Sequence, residues 1–365
     1  MKIGLFGGTF DPIHLTHTKI AYQAYCQLSL DEVWFIPVLH NPFQKQIVAS
    51  DKQRTDMISI AIQNYPMFKI SKIELEKNSE IPSYTYDTIM ELKQLHKEDN
   101  FYYIIGYDQV NAFHLWYKAD EIAKNVQLVC FSRLGYEETR QNIIDYSMLQ
   151  LEIIAEATSS SAIRQGSLQN IDTKVIHYFV THGIYLDTLI KNRMSEYRYL
   201  HTVSMASLAK AIAKANNYDE TKAYVTGMLH DIAKDIDKVK ANELMKCYYP
   251  QYLMKPEHLW HQWLGEYIAK EEFKVDDAEV LHAITVHTTG CLSMSILDKI
   301  IYTADKLDPF RGYDSKELIA KAMDNIHIGF RETLSSNVKY LREKKVTLDN
   351  DTKQIYKKYV EEQNE

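Results

Sequence analysis

Two histidines three residues apart follow a pair of glycines in the stretch Gly7-Gly8-Thr9-Phe10-Asp11-Pro12-Ile13-His14-Leu15-Thr16-His17. The apolar run at 3–6 before them reads as a strand, and a helical pattern starts at His14 and continues to 28. Glycines let main-chain N–H groups approach a phosphate closely, and the start of the helix adds partial positive charge. On a helix, His14 and His17 share a face at that same end. A bare loop and two imidazoles are aimed at one anionic group, which suits phosphate chemistry.

A second constellation lies in the other half of the chain: His201, His230, Asp231, His261, His287 and Asp305. No Ser or Cys stands beside it as a nucleophile. Imidazole nitrogen mixed with carboxylate oxygen suits Fe, Mn, Zn or Co ions. In the adjacent pair His230-Asp231 the carboxylate can bridge two metals while the imidazole serves one. Such a pair can flank a water, lower its pKa and aim it at phosphorus. His258 and His282 fit the set less well and read as surface or supporting residues.

The elements that must position these residues differ between the halves. In the first, apolar strands at 33–38, 68–75, 101–106 and 126–131 alternate with helices at 51–65 and 89–95, which predicts a doubly wound parallel sheet. Loops holding Lys45, Gly106 with Asp108, and Arg133 fall at strand carboxyl ends, where such sheets bind ligands. Thr158-Ser159-Ser160-Ser161-Ala162-Ile163-Arg164 then offers a capped helix start with hydroxyl and N–H donors, and Arg164 one turn in. Residues 170–185 form an amphipathic helix with a glycine stop. Beyond 185 no strand pattern remains. Helices are expected over 198–215, 223–234, from His261 onward, over 278–287, and over 294–307. The charged stretch after 342 reads as solvated helix.

Over roughly 1–185 the pieces resemble the nucleotidyltransferase superfamily that carries an H-x-G-H element, with Thr16 at the glycine position. Within it they look most like the nicotinate-nucleotide adenylyltransferases. The likeness rests on the opening motif, Asn41-Pro42 with Lys45, Ser83-Tyr84-Thr85 with Asp87-Thr88, Gly106 with Asp108, Trp116, Arg133, and Ser159 to Arg164. That resemblance implies adenylyl transfer from ATP to nicotinate mononucleotide, releasing pyrophosphate and making deamido-NAD. It implies that His14 and His17 bind ATP phosphates and stabilise the transition state. Gly7, Gly8, Thr9 and Phe10 would line the nucleotide loop. Ser160, Ser161 and Arg164 would hold the β/γ end with Mg²⁺, while Lys45, Thr85 and Trp116 would lie toward the nicotinate. Read alone, Trp116 is equally a core aromatic. A sibling family acting on phosphopantetheine is the rival.

The second half resembles the HD-domain phosphohydrolases, and in His230-Asp231-Ile232-Ala233-Lys234, His287-Thr288-Thr289-Gly290 and Ala304-Asp305 with Pro309 and Arg311 it looks like the bacterial HD-type diadenosine-tetraphosphate hydrolases. The resemblance implies two metal ions, iron first with manganese or cobalt as alternatives, Asp231 bridging, and cleavage into two ADP. Lys234 and Arg311 are then phosphate contacts, or else solvated charges. Thr288 touches phosphate or caps its helix. Another nucleotide substrate (a monophosphate or cyclic dinucleotide) and a sensing module without turnover are the alternatives.

The expected organisation is two domains, 1–186 and 187–365. The first is a Rossmann-like α/β domain and the second an all-α HD bundle. A net charge of −7 argues against a nucleic-acid-binding surface. Four scattered cysteines without C-x-x-C spacing fit free thiols in a reducing compartment. With neither a signal sequence nor a spanning stretch, the expectation is a soluble cytoplasmic enzyme with no membrane partner. Homo-oligomerisation is neither required nor excluded.

Overall fold

The computed structural model describes residues 1–39, 47–77, 84–131, 140–152, 158–312 and 314–362. The chain forms two compact units, Met1–Val175 and Ile176–Glu365.

The first unit alternates as the hydrophobic pattern requires. Strands β1 (Lys2–Gly8), β2 (Glu32–Pro37), β3 (Phe68–Ile70), β4 (Asn100–Ile105), β5 (Gln127–Phe131) and β6 (Leu149–Leu151) form one parallel sheet in the order β3-β2-β1-β4-β5-β6. Helices α1 (Leu15–Leu28), α2 (Asp51–Ile62), α3 (Thr85–Leu95), α4 (Tyr107–Val110), α5 (Ala119–Asn125), α6 (Arg140–Asp145) and α7 (Ser160–Arg164) connect or follow them. The strand order reverses between β1 and β4, which pair in register with Leu5 opposite Tyr103. The crevice at such a reversal is where open α/β sheets take ligands. Both faces of the sheet are covered. Ile3, Leu5, Phe101, Tyr103 and Leu128 share a core with Ile89, Leu92 and Ile122, so the strands read as continuous apolar runs without alternation.

Several boundaries differ from the sequence expectation. The strand expected over 68–75 stops at Ile70: Ser71 N–H makes the last ladder bond, to Phe35 O, and the chain then turns, with Glu76 N–H bonding Lys72 O. The three-residue strand β6 carried too short an apolar signal to be expected. Helix α2 ends at Ile62, short of the expected 65, and starts after Ser50, whose side chain accepts from Gln53 N–H. His14 is the extended N-cap of α1 and stands outside the helix.

Helix α8 (Thr173–Thr181) leads into the second unit, which continues with α9 (Leu186–Lys191), α10 (Glu196–Ala215), α11 (Glu220–Leu229), α12 (Lys238–Tyr248), α13 (Trp260–Glu271), α14 (Ala278–Val286), α15 (Ile296–Leu307), α16 (Lys316–Asp324), α17 (Ile326–Glu343) and α18 (Asn350–Tyr356). Side-chain caps set most starts. Asp219 caps α11, Asp237 caps α12, Asp277 caps α14, Ser295 caps α15 and Asn325 caps α17, each worth about 1 kcal/mol. Among the described residues no strand occurs here, and no helix is long and apolar enough to cross a membrane.

Helices α10 and α11 pack closely because Gly227 faces the backbone of α10. A Cβ at Gly227 would lie 2.7 Å from Ala206 Cα. A further core joins Val286, Tyr302, Phe330, Leu334, Val338 and Ile355, binding α14 and α15 to α17 and α18. All four cysteines are free.

Candidate functional site

The loop after β1 is held from three sides. Phe10, at φ 48°, is buried against Phe6, Phe35 and His17. The buried Asp11 carboxylate accepts from Val48 N–H at 2.8 Å and Ala49 N–H at 3.0 Å. Arg54, with no exposed surface, donates to Thr9 O at 2.8 Å and pairs with Asp51 at 2.6 Å. From α7, Arg164 Nη1 donates to Asp11 O at 2.5 Å, and Ser160 Oγ donates to Pro12 O at 2.9 Å. Ser159 caps α7 by accepting from Ala162 N–H. The serine-rich segment is therefore brought to the opening motif, 148 residues away along the chain. Ser161 is exposed beside it.

His14 and His17 stack with ring centroids 3.7 Å apart. His14 N–H donates to His17 Nδ1 at 3.2 Å. That bond fixes the tautomer of a neutral His17 and leaves its proton on Nε2, ready to donate. Burial and the neighbouring His14 hold the His17 pKa well below its usual range.

Tyr103 organises the other side of the crevice, and sequence reading missed it. A Cβ at Gly7 would lie 2.6 Å from Tyr103 Oη, so only glycine leaves room for that hydroxyl. Tyr103 hydrogen-bonds Thr85 and packs edge-on against Trp116. Trp116 also packs on Phe113, and its buried Nε1 has no hydrogen-bond partner among the described residues. Gly106 is the N-cap of α4 at the end of β4. Lys45, Arg133 and the side chain of Asp108 lie outside the described residues, as do Asn41, Pro42 and Ser83.

In the second unit the six ligand candidates converge from α10, α11, α13, α14 and α15. His201 and Asp305 approach to 3.4 Å. Asp231 Oδ1 lies 3.4 Å from His261 Nε2 and 3.5 Å from His287 Nε2, while its Oδ2 lies 3.8 Å from His230 Nε2. Two ligand groups result, His201–His230–Asp305 and His230–Asp231–His287, each with donor atoms within 4.8 Å of one another. His230 is common to both, while Asp231 belongs to the second, with one oxygen toward His261 and His287 and the other toward His230.

Each imidazole is oriented through Nδ1. His230 bonds Gly227 O at 2.6 Å, His261 bonds His258 O at 2.8 Å, His287 bonds Ile284 O at 2.7 Å, and His201 meets Asp308 Oδ2 at 2.6 Å. With Nδ1 carrying the proton, Nε2 is left as the metal-binding lone pair. The fully buried His230 Nε2 has no hydrogen-bond partner among the described residues. An orphaned buried nitrogen in a nest of imidazoles and carboxylates fits a metal centre.

These bonds also explain two boundaries. The helices expected over 223–234 and 278–287 end at Leu229 and Val286, so His230 and His287 occupy the C-cap positions. Each ring takes a carbonyl from the last turn, which ends the ladder there.

Four cations surround the two carboxylates, and only two were expected from sequence. Lys234 Nζ lies 3.7 Å from Asp231, and Arg311 Nη2 lies 2.6 Å from Asp305. Arg198 Nη1 is 3.6 Å from Asp231, and Lys306 Nζ is 2.8 Å from Asp305. Burial opposes ionisation of both carboxyls. It is outweighed at Asp231 by His230, His287 and Lys234, and at Asp305 by Lys306, His201 and Arg311, so both stay well below the usual carboxylate range. Thr288 Oγ1 lies 2.9 Å from His287 Nε2. No spacing in the sequence marks Arg198, Lys306, Asp308 or Ser204. They join the set through tertiary contact.

A cytidylyltransferase-like family model matches residues 5–166, and an HD domain model matches residues 198–309. The chain is 29% identical over 350 residues to the probable nicotinate-nucleotide adenylyltransferase/Ap4A hydrolase of Mycoplasma pneumoniae, covering 93% of this chain and 98% of that protein. It is 35% identical over 198 residues to the probable nicotinate-nucleotide adenylyltransferase of Carboxydothermus hydrogenoformans, covering 50% of this chain and 98% of that protein. Among solved structures, a predicted HD superfamily hydrolase involved in NAD metabolism from Clostridium acetobutylicum aligns with 28% identity and a TM-score of 0.44. The alignment covers 48% of this chain and 96% of that one.

Proposed function

The chain belongs to the nicotinate-nucleotide adenylyltransferase family through its N-terminal half, and on that premise we propose a bifunctional nucleotide enzyme. The first half transfers the adenylyl group of ATP to nicotinate mononucleotide. The second hydrolyses diadenosine tetraphosphate to two ADP. Relatives similar along both halves carry both activities in their name.

In the first reaction a phosphate oxygen of the mononucleotide bonds the α-phosphorus of ATP. The bond to the β-phosphate breaks, and pyrophosphate leaves. No covalent enzyme intermediate is required, so catalysis rests on alignment and charge stabilisation. His14 and the Nε2–H of His17 donate to phosphate oxygens. Gly7, Gly8, Thr9 and Phe10 shape the loop, and Gly106, Asp108 and Arg133 are further candidates for binding substrate or ATP. Ser160, Ser161 and Arg164 serve the β/γ end, and Mg²⁺ enters with ATP. By the resemblance, Thr85, Trp116 and Lys45 would lie toward the nicotinate nucleotide. The stacked His14–His17 pair beside a braced glycine loop is the observation that supports this half most.

In the second half His201, His230, Asp231, His261, His287 and Asp305 would hold two metal ions, iron or else manganese or cobalt. Bound there, the ions would supply Lewis acidity and lower the pKa of an attacking water. Lys234 and Arg311 neutralise phosphate oxygens. Water oxygen bonds one of the two central phosphorus atoms, and the central bridging P–O bond breaks. The carrying observation is the set of four imidazoles, each with Nδ1 anchored. A sensor without turnover could lose ligands freely, whereas this set is complete. An acidic net charge and four free cysteines agree with work in the cytoplasm.

Chromatographic product analysis tests both halves. ATP, Mg²⁺ and nicotinate mononucleotide should give deamido-NAD. Diadenosine tetraphosphate with Fe²⁺ or Mn²⁺ should give ADP alone. Product from phosphopantetheine instead would overturn the first assignment, and intact tetraphosphate would overturn the second.

A further inference from the structure

Outside the HD ligand set, another group of donors lies at the turn between α14 and α15. One ligand atom from each of His282, Cys291 and Asp298 lies within 4.8 Å of the other two. The His282 imidazole meets Asp298 Oδ2 through Nδ1 at 3.0 Å, and its Nε2 stands 4.0 Å from Cys291 Sγ. The thioether of Met294 is 3.7 Å from the same sulfur.

Asp298 is the telling member. It is fully buried at the third position of α15. Its Oδ2 already completes the capping box by accepting from Ser295 N–H at 2.7 Å, and it also meets the imidazole. Its Oδ1 is buried as well and has no hydrogen-bond partner among the described residues. A helix cap needs only one of these oxygens, and an unmatched buried carboxylate oxygen is costly. The thiol also donates to Ser293 O at 3.1 Å, and neither that bond nor the His282–Asp298 pair accounts for the orphaned Asp298 Oδ1. The site is open to solvent, since the His282 side chain is 47% exposed and Cys291 is half-buried.

We propose that His282, Cys291 and Asp298 bind a zinc ion. Thiolate, imidazole and carboxylate together are a zinc donor set. Tetrahedral Zn–N bonds of about 2.0–2.1 Å and a Zn–S bond of about 2.3 Å hold nitrogen and sulfur about 3.5–3.6 Å apart, so the 4.0 Å between ring and sulfur closes by a few tenths of an ångström on binding. Binding releases the thiol proton to solvent, and a water completes the coordination. The ion ties α14, whose C-cap is His287, to α15, which carries Asp305. It therefore fastens together two helices that each deliver or end at a ligand of the HD centre.

The test is a cobalt titration of the full chain, because the HD centre contains no sulfur. Thiolate-to-cobalt charge transfer in the near ultraviolet therefore reports this site separately. The expected band saturates with one cobalt per chain, bleaches on adding Zn²⁺, and is absent in Cys291→Ser and in His282→Ala. Zn²⁺ should also slow alkylation of Cys291 at least tenfold while leaving the exposed Cys26 and Cys247 reactive. A wild-type chain without the band, or a band that persists in Cys291→Ser, overturns the proposal.

Discussion

Asp308 Oδ2 lies 2.6 Å from His201 Nδ1, and Ser204 Oγ donates to the other oxygen of the same carboxylate. Among the four imidazoles of the HD centre, His201 alone is oriented by a side chain, since the others bond main-chain carbonyls. Orientation can therefore be removed at His201 without touching a ligand. Asp308→Asn is expected to weaken metal binding and tetraphosphate hydrolysis by roughly 10–100-fold. Deamido-NAD formation should stay at the wild-type rate. Metal titration beside both activity assays checks it.

Arg164 reaches the main-chain oxygen of Asp11 while its guanidinium also lies 3.7 Å from the Asp11 carboxylate. A planar fork can hold the loop and still present donors to a phosphate, whereas an ammonium is a point charge. Arg164→Lys is expected to lower kcat for adenylyl transfer by roughly 100-fold. Hydrolysis by the second unit should be unaffected. Parallel kinetics on the two substrates would show a different pattern if Arg164 were only a surface charge.

Gly227 carries two burdens. It lets α11 approach Ala206 of α10, and its carbonyl orients His230. Gly227→Ala places a methyl group against backbone that cannot rotate away. Overpacking of this kind costs about 1–3 kcal/mol. Denaturant unfolding should show that loss in the second unit, with a fall in hydrolysis that exceeds any change in adenylyl transfer.

His17 stays neutral in the fold at pH values where it would be protonated in the unfolded chain. A histidine pKa depressed by folding means that the unfolded state binds more protons as pH falls. Stability is then fully present above about pH 6.5 and declines below it. His17→Gln should flatten that decline. Unfolding curves for the two proteins between about pH 7.5 and 5 decide the matter, and parallel slopes would refute it.

The parallel sheet and the opening loop were legible because long apolar runs and strand-end motifs survive translation into structure. Both edge strands blurred: β3 was overread and β6 missed, for three residues give periodicity nothing to work on. The six ligand candidates were legible as residue types, but the tautomers that would let the four imidazoles bind metal were not. These depend on carbonyls of Gly227, His258 and Ile284, and backbone groups leave no mark in a sequence. No spacing in the sequence singles out Arg54, Arg198 or Lys306. Burial reveals Arg54, and contact with Asp231 and Asp305 reveals the other two. Tyr103 looked like one more core aromatic of β4 until its hydroxyl was found over Gly7.

His201 stands between two carboxylates, Asp305 on one ring nitrogen and Asp308 on the other. Although burial works against it, these partners raise its pKa to about 9, while burial lowers that of His230 to about 4 and that of His261 to about 2. Asp305 and Asp308 thus favour the protonated form of His201, so protons compete with a metal ion for this ring. Loading the centre would then release acid. Calorimetric heats measured in buffers of different ionisation enthalpy should diverge accordingly.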